Sequence, residues 1–102
     1  MVLFAAGKPR PGVVAQADEV TTPDEILICP LTSTLLDAPL YRPTVQPSAV
    51  NGLLGPSQLM ADKVGPVPRA RIGATIGHLN GPDLLSLNIA LLTVLDLGGL
   101  RE

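Results

Sequence analysis

The chain contains very few aromatic residues, since Phe4 and Tyr41 are the only two and tryptophan is absent. Apolar residues still make up 46% of the 102 positions, so any hydrophobic core must be aliphatic. Cysteine and histidine occur once each, as Cys29 and His78. A single cysteine excludes an intramolecular disulfide and is typical of a reducing compartment, so we expect the cytoplasm. The same scarcity argues against a protein-only zinc site, and we expect neither a metal nor another cofactor.

Charged residues are also sparse, with seven Lys and Arg against nine Asp and Glu, which gives a net charge of −2. A protein that binds nucleic acid through its bulk charge is usually basic, so that class is disfavoured. A local basic patch remains open, at Lys8 and Arg10 or at Arg69 and Arg71. The apolar opening, residues 1–6, is too short for a signal peptide or a membrane span, and no membrane partner is expected.

Proline and glycine are abundant, at eleven and ten residues. So many prolines exclude a simple helical bundle, because each one removes a backbone donor. The high apolar fraction and low charge argue against disorder. We therefore expect one domain over residues 1–102 with short strands joined by tight turns, and a loop over 7–11. Strands are predicted at 1–6, 12–16, 25–32, 44–46, 58–64 and 71–79, with 44–46 at a sheet edge because prolines flank it.

The last part of the chain predicts a helix. Gly81-Pro82-Asp83 is typical of a helix start, and the helix is expected to run to about Leu97 and stop at Gly98-Gly99. Apolar side chains cover more of its surface than one packing face needs, so a second face is available for another subunit. Asn88 lies within that apolar side, either as a satisfied core amide or as a group that sets the register of a dimer. The predicted fold is mostly β (α+β), a small SH3-like, partly open β-barrel with a C-terminal α-helix.

Three segments in order resemble the MazF/PemK toxins of the CcdB/MazF superfamily. Residues 7–14, GKPRPGVV, resemble the "G-x-x-R-P-x-V-V" entry into the second strand of these toxins. Residues 28–33, ICPLTS, resemble their third strand, which ends in a proline, an apolar residue and a threonine. Residues 58–79 resemble their "D-Q-I … R-x-R-L-G … I-G-x-L" stretch before a terminal helix. The match covers almost the whole chain.

The resemblance implies a homodimeric toxin that cleaves single-stranded RNA without a metal. It also implies a cognate antitoxin that neutralises the toxin, with operator DNA contacted only through the antitoxin complex. Arg10 would stabilise the charge of the phosphorane and is a candidate proton donor; Thr32 would bind the scissile phosphate or orient the attacking 2′-hydroxyl. From the residues alone, Arg10 reads as a solvated cation and Thr32 as a turn hydroxyl that caps the backbone. RNA contacts are predicted at Lys8, Ser33, Arg69 and Arg71.

Two departures from the family pattern keep alternatives open. Many members carry an arginine and, three residues later, an aspartate after the "D-Q-I" stretch, where this chain has Gly65 and Pro68. This favours, as one alternative, a degenerate member that only binds its antitoxin. The other alternative is a CcdB-like poison of DNA gyrase, which would act through the end of its C-terminal helix. The tail over 97–102 lacks the terminal aromatic residue that such a poison would use.

Overall fold

The computed structural model describes residues 1–97, and within this range seven strands form one antiparallel sheet. The strands are β1 (Val2–Ala6), β2 (Lys8–Val14), β3 (Glu25–Thr32), β4 (Thr44–Val45), β5 (Ser57–Leu59), β6 (Gly65–Pro68) and β7 (Ile72–Thr75). Two 3-10 helices span Ala61–Lys63 and Arg69–Arg71, and the α-helix α1 spans Gly81–Val94.

The strands follow the order β4-β5-β3-β2-β1-β7, with β6 pairing β3 beside this path. β4 and β7 end the order and are not paired with each other in the part of the chain that the structure describes, so the barrel is not fully closed. The predicted mostly β fold with a C-terminal helix is confirmed, as is the edge position of β4. The strand predicted over 25–32 has the observed bounds.

β3 changes partner on one side at Pro30. Before it, β3 pairs β6 as far as Ile28↔Gly65, and after it β3 pairs β5 from Leu31↔Leu59. Proline has no N–H to give to a neighbouring strand, whereas its carbonyl accepts a hydrogen bond from Met60 N at 2.9 Å. The single strand predicted over 58–64 is therefore wrong: the chain forms β5, turns through Ala61–Lys63 and continues as β6.

β6 was not predicted, because two of its four residues are Pro66 and Pro68. The hydrogen bond from Arg69 N to Asp24 O, at 2.9 Å, shows that the odd-numbered residues of this segment direct their N–H groups at β3. Since hydrogen-bonded pairs alternate along an antiparallel ladder, the nitrogens of both prolines point away from β3. β6 therefore loses no ladder bond and is an edge strand.

The sheet packs apolar side chains on both faces. The larger core contains eight buried residues: Met1, Val13, Cys29, Leu31, Val45, Leu53, Leu59 and Leu87. The smaller core joins Val2, Phe4 and Ile28 on the other face. Burial raises the pKa of the Cys29 thiol to about 12, which makes this side chain an unreactive small hydrophobe.

α1 begins where it was predicted, with the Asn80 side chain accepting a hydrogen bond from Asp83 N at 2.8 Å. The predicted end at about Leu97 is wrong. Asp96 has a left-handed backbone (φ 57), and Leu97 N donates to Leu92 O at 2.9 Å, which is the hydrogen bond of a Schellman motif and closes the helix at Val94. The predicted stop signal, Gly98-Gly99, lies outside the described residues.

One face of α1 is buried and another, mostly apolar, is open. Leu87 and Ala90 are buried against the sheet, whereas Asn88 is exposed, so the reading of Asn88 as a core amide is wrong. The exposed apolar side chains of the helix region are Leu84, Leu85, Ile89, Leu92 and Leu95. Within residues 1–97, no helix is long and apolar enough to cross a membrane.

Candidate functional site

The pairing of β2 with β3 ends at a proline of β2, Pro11. Their ladder stops at Gly12↔Pro30, and the hydrogen bond from Ala15 N to Leu27 O (2.9 Å) shows that odd-numbered residues of β2 direct their N–H groups at β3. Pro11 occupies the next such position and has no N–H to donate. The two strands therefore separate beyond it.

The predicted loop over 7–11 is wrong for the same geometric reason. The nitrogens of Pro9 and Pro11 face β3, so the pairing of these residues with β1 is not disturbed, and β2 starts at Lys8. Only Gly7 remains as the turn, with φ 87, a conformation that glycine adopts without steric cost.

The opening between β2 and β3 brings four of the six predicted site residues together. Arg10 and Thr32 each lie two residues beyond the last β2–β3 pair, Gly12↔Pro30, so they stand on opposite sides of the opening and on the same face of the sheet. Lys8, Arg10, Thr32 and Ser33 all line one open cleft of about 640 Å³. This cleft groups the predicted residues and is the candidate site.

The cleft is positively charged although the whole chain is not. Lys8 and Arg10 are exposed cations at its rim, and none of the described residues that line the cleft carries a carboxylate. Hydroxyl groups of Thr32, Ser33 and Thr34 line the same wall. Cations grouped with hydroxyl donors and without nearby acids form a surface suited to phosphate oxygens.

The Thr32 hydroxyl combines the two roles weighed from the sequence. Its oxygen accepts a hydrogen bond from Thr34 N at 3.1 Å, so it does cap the turn after β3. A hydroxyl that accepts one such bond keeps its own proton for donation. The turn therefore fixes the oxygen beside the cleft while leaving its O–H group available to a phosphate.

The opposite wall of the cleft is the segment 52–55, which a buried side chain holds in place. Asn51 is 3% exposed. Its Oδ1 accepts hydrogen bonds from Ser48 N and Leu53 N, both at 3.0 Å, and its Nδ2 donates to Gln46 O at 2.8 Å. Every polar atom of the amide is thus used to fix the backbone.

Gln58 fixes the loop that follows the Thr32 end of β3. Its Nε2 donates to Leu36 O at 2.8 Å, and its Oε1 accepts from Leu36 N at 3.0 Å. Gln58 is 5% exposed. From the sequence, Gln58 entered only as part of a family motif. A glutamine in an apolar stretch can be either buried or solvated, and the sequence alone does not distinguish the two.

A second anchor of the same loop is an ion pair. Arg42 Nε and Nη2 lie 2.9 and 3.0 Å from Asp62 Oδ1 and Oδ2. The hydrogen bond from Arg42 lowers the pKa of Asp62, and the bond to Asp62 raises that of Arg42. Arg42 was not predicted as a structural residue, because the fold alone brings it to a partner twenty positions away.

The structure places Arg69 and Arg71 away from the cleft. Arg69 follows β6 near the start of β3, where its Nε donates to Thr22 O at 2.9 Å, roughly 25 Å along the strand from Thr32. Arg71 ends the second 3-10 helix and precedes Ile72. Ile72 in β7 pairs with Phe4 in β1, and Phe4 pairs with Arg10 in β2, so β1 separates Ile72 from Arg10. Both arginines are exposed. Their RNA contacts stay predictions.

The positions that depart from the family pattern are also outside the cleft. Gly65 and Pro68 are the first and last residues of β6, and neither lines the opening between β2 and β3.

The fold and the cleft define a small, partly open antiparallel barrel with a C-terminal helix and an acid-free, cationic opening between two strands. Residues 5–95 match the family described as the PemK-like, MazF-like toxin of type II toxin–antitoxin systems. The chain belongs to this family.

Individual relatives agree with this assignment. A protein named probable endoribonuclease MazF, from Mycolicibacterium smegmatis (strain ATCC 700084 / mc(2)155), is 37% identical over 93 residues, which is 91% of this chain and 85% of the relative. The solved structure of the Mycobacterium tuberculosis toxin MazF-mt6 superposes with a TM-score of 0.80 at 26% identity, over 93% of this chain and 95% of the toxin.

A further solved structure shares the fold at lower identity. It is an endoribonuclease in complex with its cognate antitoxin from a mycobacterial species, with a TM-score of 0.72 at 19% identity, over 94% of this chain and 92% of that one. The similarities do not favour the gyrase poison or the degenerate toxin. Most of the tail on which the gyrase reading depended, residues 98–102, lies outside the described residues.

Proposed function

We propose that this chain is the toxin of a type II toxin–antitoxin system and cleaves single-stranded RNA without a metal ion. The observation that carries the proposal is that Arg10 and Thr32, each two residues beyond the last β2–β3 pair, line the same acid-free cleft. The name of the M. smegmatis relative, a probable endoribonuclease, supports the same activity.

The proposed reaction uses the 2′-hydroxyl of the substrate as the nucleophile. Its oxygen attacks the adjacent phosphorus and loses its proton, and the bond to the 5′-oxygen breaks as that oxygen gains a proton. A cyclic phosphate and a 5′-hydroxyl result. The pentacoordinate phosphorane carries extra negative charge, so the protein accelerates the step by binding this charge more strongly than that of the ground state.

Arg10 is assigned to the phosphorane charge. Its planar guanidinium can donate to two non-bridging oxygens at once, and it stands at the open rim of the cleft. Thr32 is assigned to a phosphate oxygen through its remaining O–H group. Lys8 and Ser33 line the same opening and are assigned to neighbouring phosphates, where single charges position the strand without reading its sequence.

The proposal is tested with purified protein and single-stranded RNA in excess EDTA. We expect cleavage by the wild-type chain and a loss of roughly 100-fold or more for Arg10→Ala, because one lost oxyanion donor typically costs that much. Lys63→Ala is the matched control, since Lys63 is an exposed cation that does not line the cleft. Intact RNA with folded wild-type protein, or full activity in Arg10→Ala, would overturn the proposal.

The proposed partners are a cognate antitoxin and a second copy of the chain. The antitoxin-bound relative supports the first by its fold. The second is supported by the exposed apolar side chains of α1, among them Leu85 and Ile89 at 60% and 54% exposure, which a homodimer would remove from water. Operator DNA is contacted only through the antitoxin complex in this scheme. We place the protein in the cytoplasm, where RNA is available and Cys29 stays reduced.

A further inference from the structure

The wall of the cleft opposite the cations exposes a leucine completely. Leu54 is 104% exposed, the highest value among the large apolar side chains of the described residues. It lies in the segment Gly52–Gly55, and all four residues of this segment line the cleft. An isolated exposed leucine needs no explanation, but this one shares a cavity with Arg10 and Thr32.

The backbone that precedes Leu54 is held in place by several contacts. Asn51 fixes the preceding turn through its three hydrogen bonds, as described above. Gly52, with φ 71, packs so closely on the next segment that an added Cβ would stand 2.3 Å from Ile76 O. On the far side of the same contact, His78 N donates to Val50 O at 3.0 Å. Leu54 is therefore presented on a preorganised support, which lowers the entropic cost of binding something to it.

The two walls together restrict the occupant. One wall offers Lys8, Arg10 and hydroxyl groups. On the other, the segment 52–55 offers aliphatic carbon from Leu53 and Leu54, and the neighbouring Ser57 hydroxyl is already bonded to Gly55 O. The volume, about 640 Å³, falls within the range of small-molecule sites. The matching chemistry is an anionic group joined to a flat, weakly polar body, which is a nucleotide: the phosphate meets the cations and the base meets the leucine.

We propose that Leu54 is a base-contacting residue that packs against the nucleobase beside the bound phosphate. The inference rests on the proposed function, since it takes single-stranded RNA as the substrate. Because residues 52–55 have no side-chain donor or acceptor, the contact is with the face of the base and not with its hydrogen-bonding edge. Leu54 thus holds any base in place and contributes affinity with little base preference.

The test measures binding and not cleavage, so that it is independent of catalysis. The probe is a short 2′-O-methyl RNA of randomised sequence, in which the nucleophile is blocked. A second probe has the same sugar–phosphate backbone with every base removed. Both are titrated against the wild-type chain, Leu54→Ala and Leu40→Ala. Leu40 is the matched control, because it is 71% exposed but does not line the cleft.

We expect Leu54→Ala to weaken binding of the base-bearing probe about tenfold, the effect of a few lost apolar contacts. The base-free probe should bind Leu54→Ala and wild type equally, and Leu40→Ala should match wild type on both. Leu54→Met should restore most of the affinity. Unfolding midpoints measured alongside show whether Leu54→Ala remains as stable as wild type, which an exposed position predicts.

Three results would overturn the inference. Unchanged affinity of Leu54→Ala for the base-bearing probe removes the contact, and an equal loss on the base-free probe assigns Leu54 to the backbone. An equal loss in Leu40→Ala would show an effect of exposed leucines in general and not of the cleft. Failure of the proposed function looks different: a chain that binds the probe through Leu54 but leaves unmodified RNA intact keeps the base contact and loses only the nuclease.

Discussion

Arg42 and Asp62, twenty positions apart in the chain, meet in a two-point contact whose nitrogen–oxygen distances are 2.9 and 3.0 Å. The Arg42 side chain is 10% exposed and that of Asp62 is 31% exposed. The pair joins the loop after β3 to the 3-10 helix Ala61–Lys63, and it does so with unequal burial of its two charges.

That inequality predicts an asymmetric response to mutation. Asp62→Asn leaves a nearly buried guanidinium without its anion, so we expect a loss of about 1–3 kcal/mol in the free energy of unfolding. Arg42→Met replaces the buried charge with apolar surface and leaves a carboxylate that water can reach, so its cost should be smaller. Urea denaturation of both variants provides the measurement. Asp37→Asn, at an exposed acid, is the control, and a larger loss in Arg42→Met would contradict the argument.

The same pair predicts a dependence on pH. The hydrogen bond from Arg42 lowers the pKa of Asp62 below its ordinary value of 3.8, so the stabilisation is complete above that value and is lost as the pH falls through the lower, folded-state pKa. The difference in unfolding free energy between wild type and Asp62→Asn should stay constant from pH 7 to about pH 5 and shrink below pH 3.8. A difference that disappears near neutral pH would rule this origin out.

Gly12 is predicted to tolerate no side chain. A Cβ there would stand 2.5 Å from Ile28 Cγ2 and 2.9 Å from Phe4 Cε1, both in the smaller core. Gly12→Ala should therefore lower the free energy of unfolding by about 1–3 kcal/mol. Gly81→Ala is the control, because a Cβ at the start of α1 meets nothing within 4 Å. Equal midpoints for the two variants would show that the core moves aside without cost.

The hydroxyl of Thr32 can be tested apart from the shape of its side chain. Thr32→Ser keeps the O–H group and should retain most of the RNA cleavage rate. Thr32→Val keeps the shape and should reduce the rate by roughly 100-fold, as loss of one transition-state donor does. Thr75→Val, at an exposed position in β7, should cleave like wild type. Full activity in Thr32→Val would leave this hydroxyl with its turn contact alone.

The exposed face of α1 predicts the state of association. If two copies bury this face, Ile89→Glu would put a carboxylate into the interface and shift the molecular mass measured by light scattering from dimer to monomer. Leu40→Glu adds the same charge at an exposed leucine far from the helix in sequence and should leave the mass unchanged. A dimer that survives Ile89→Glu would place the contact on another surface.

The parts of the fold that were predicted correctly depend on local signals. The apolar, β-branched run over 25–32 and the glycine–proline–aspartate start of α1 act within a few residues of themselves. β6 and the first half of β2 were missed because proline reads as a strand breaker, and only the sheet shows that each proline nitrogen faces away from its paired strand. Orientation relative to a neighbour is a tertiary property.

The sequence predicted which residues form the candidate site but not which residues hold it in place. Arg10 and Thr32 followed from short motifs, and the end of the β2–β3 ladder explains why both line one cleft. Asn51, Gln58 and Arg42 were not foreseen, because each is a polar residue whose burial depends on long-range contacts. Arg69 and Arg71 were predicted as RNA contacts in a local basic patch, but they lie on a 3-10 helix, where residues two positions apart do not share a side.

The prolines at the start of β2 have a consequence beyond the cleft. An unpaired strand edge normally invites a strand from another molecule, and this is the usual route to aggregation. Pro9 and Pro11 leave their side of β2 without the two N–H groups that such a strand would need. The gap beside Arg10 can thus remain permanently open in a concentrated solution of identical chains without seeding intermolecular sheets.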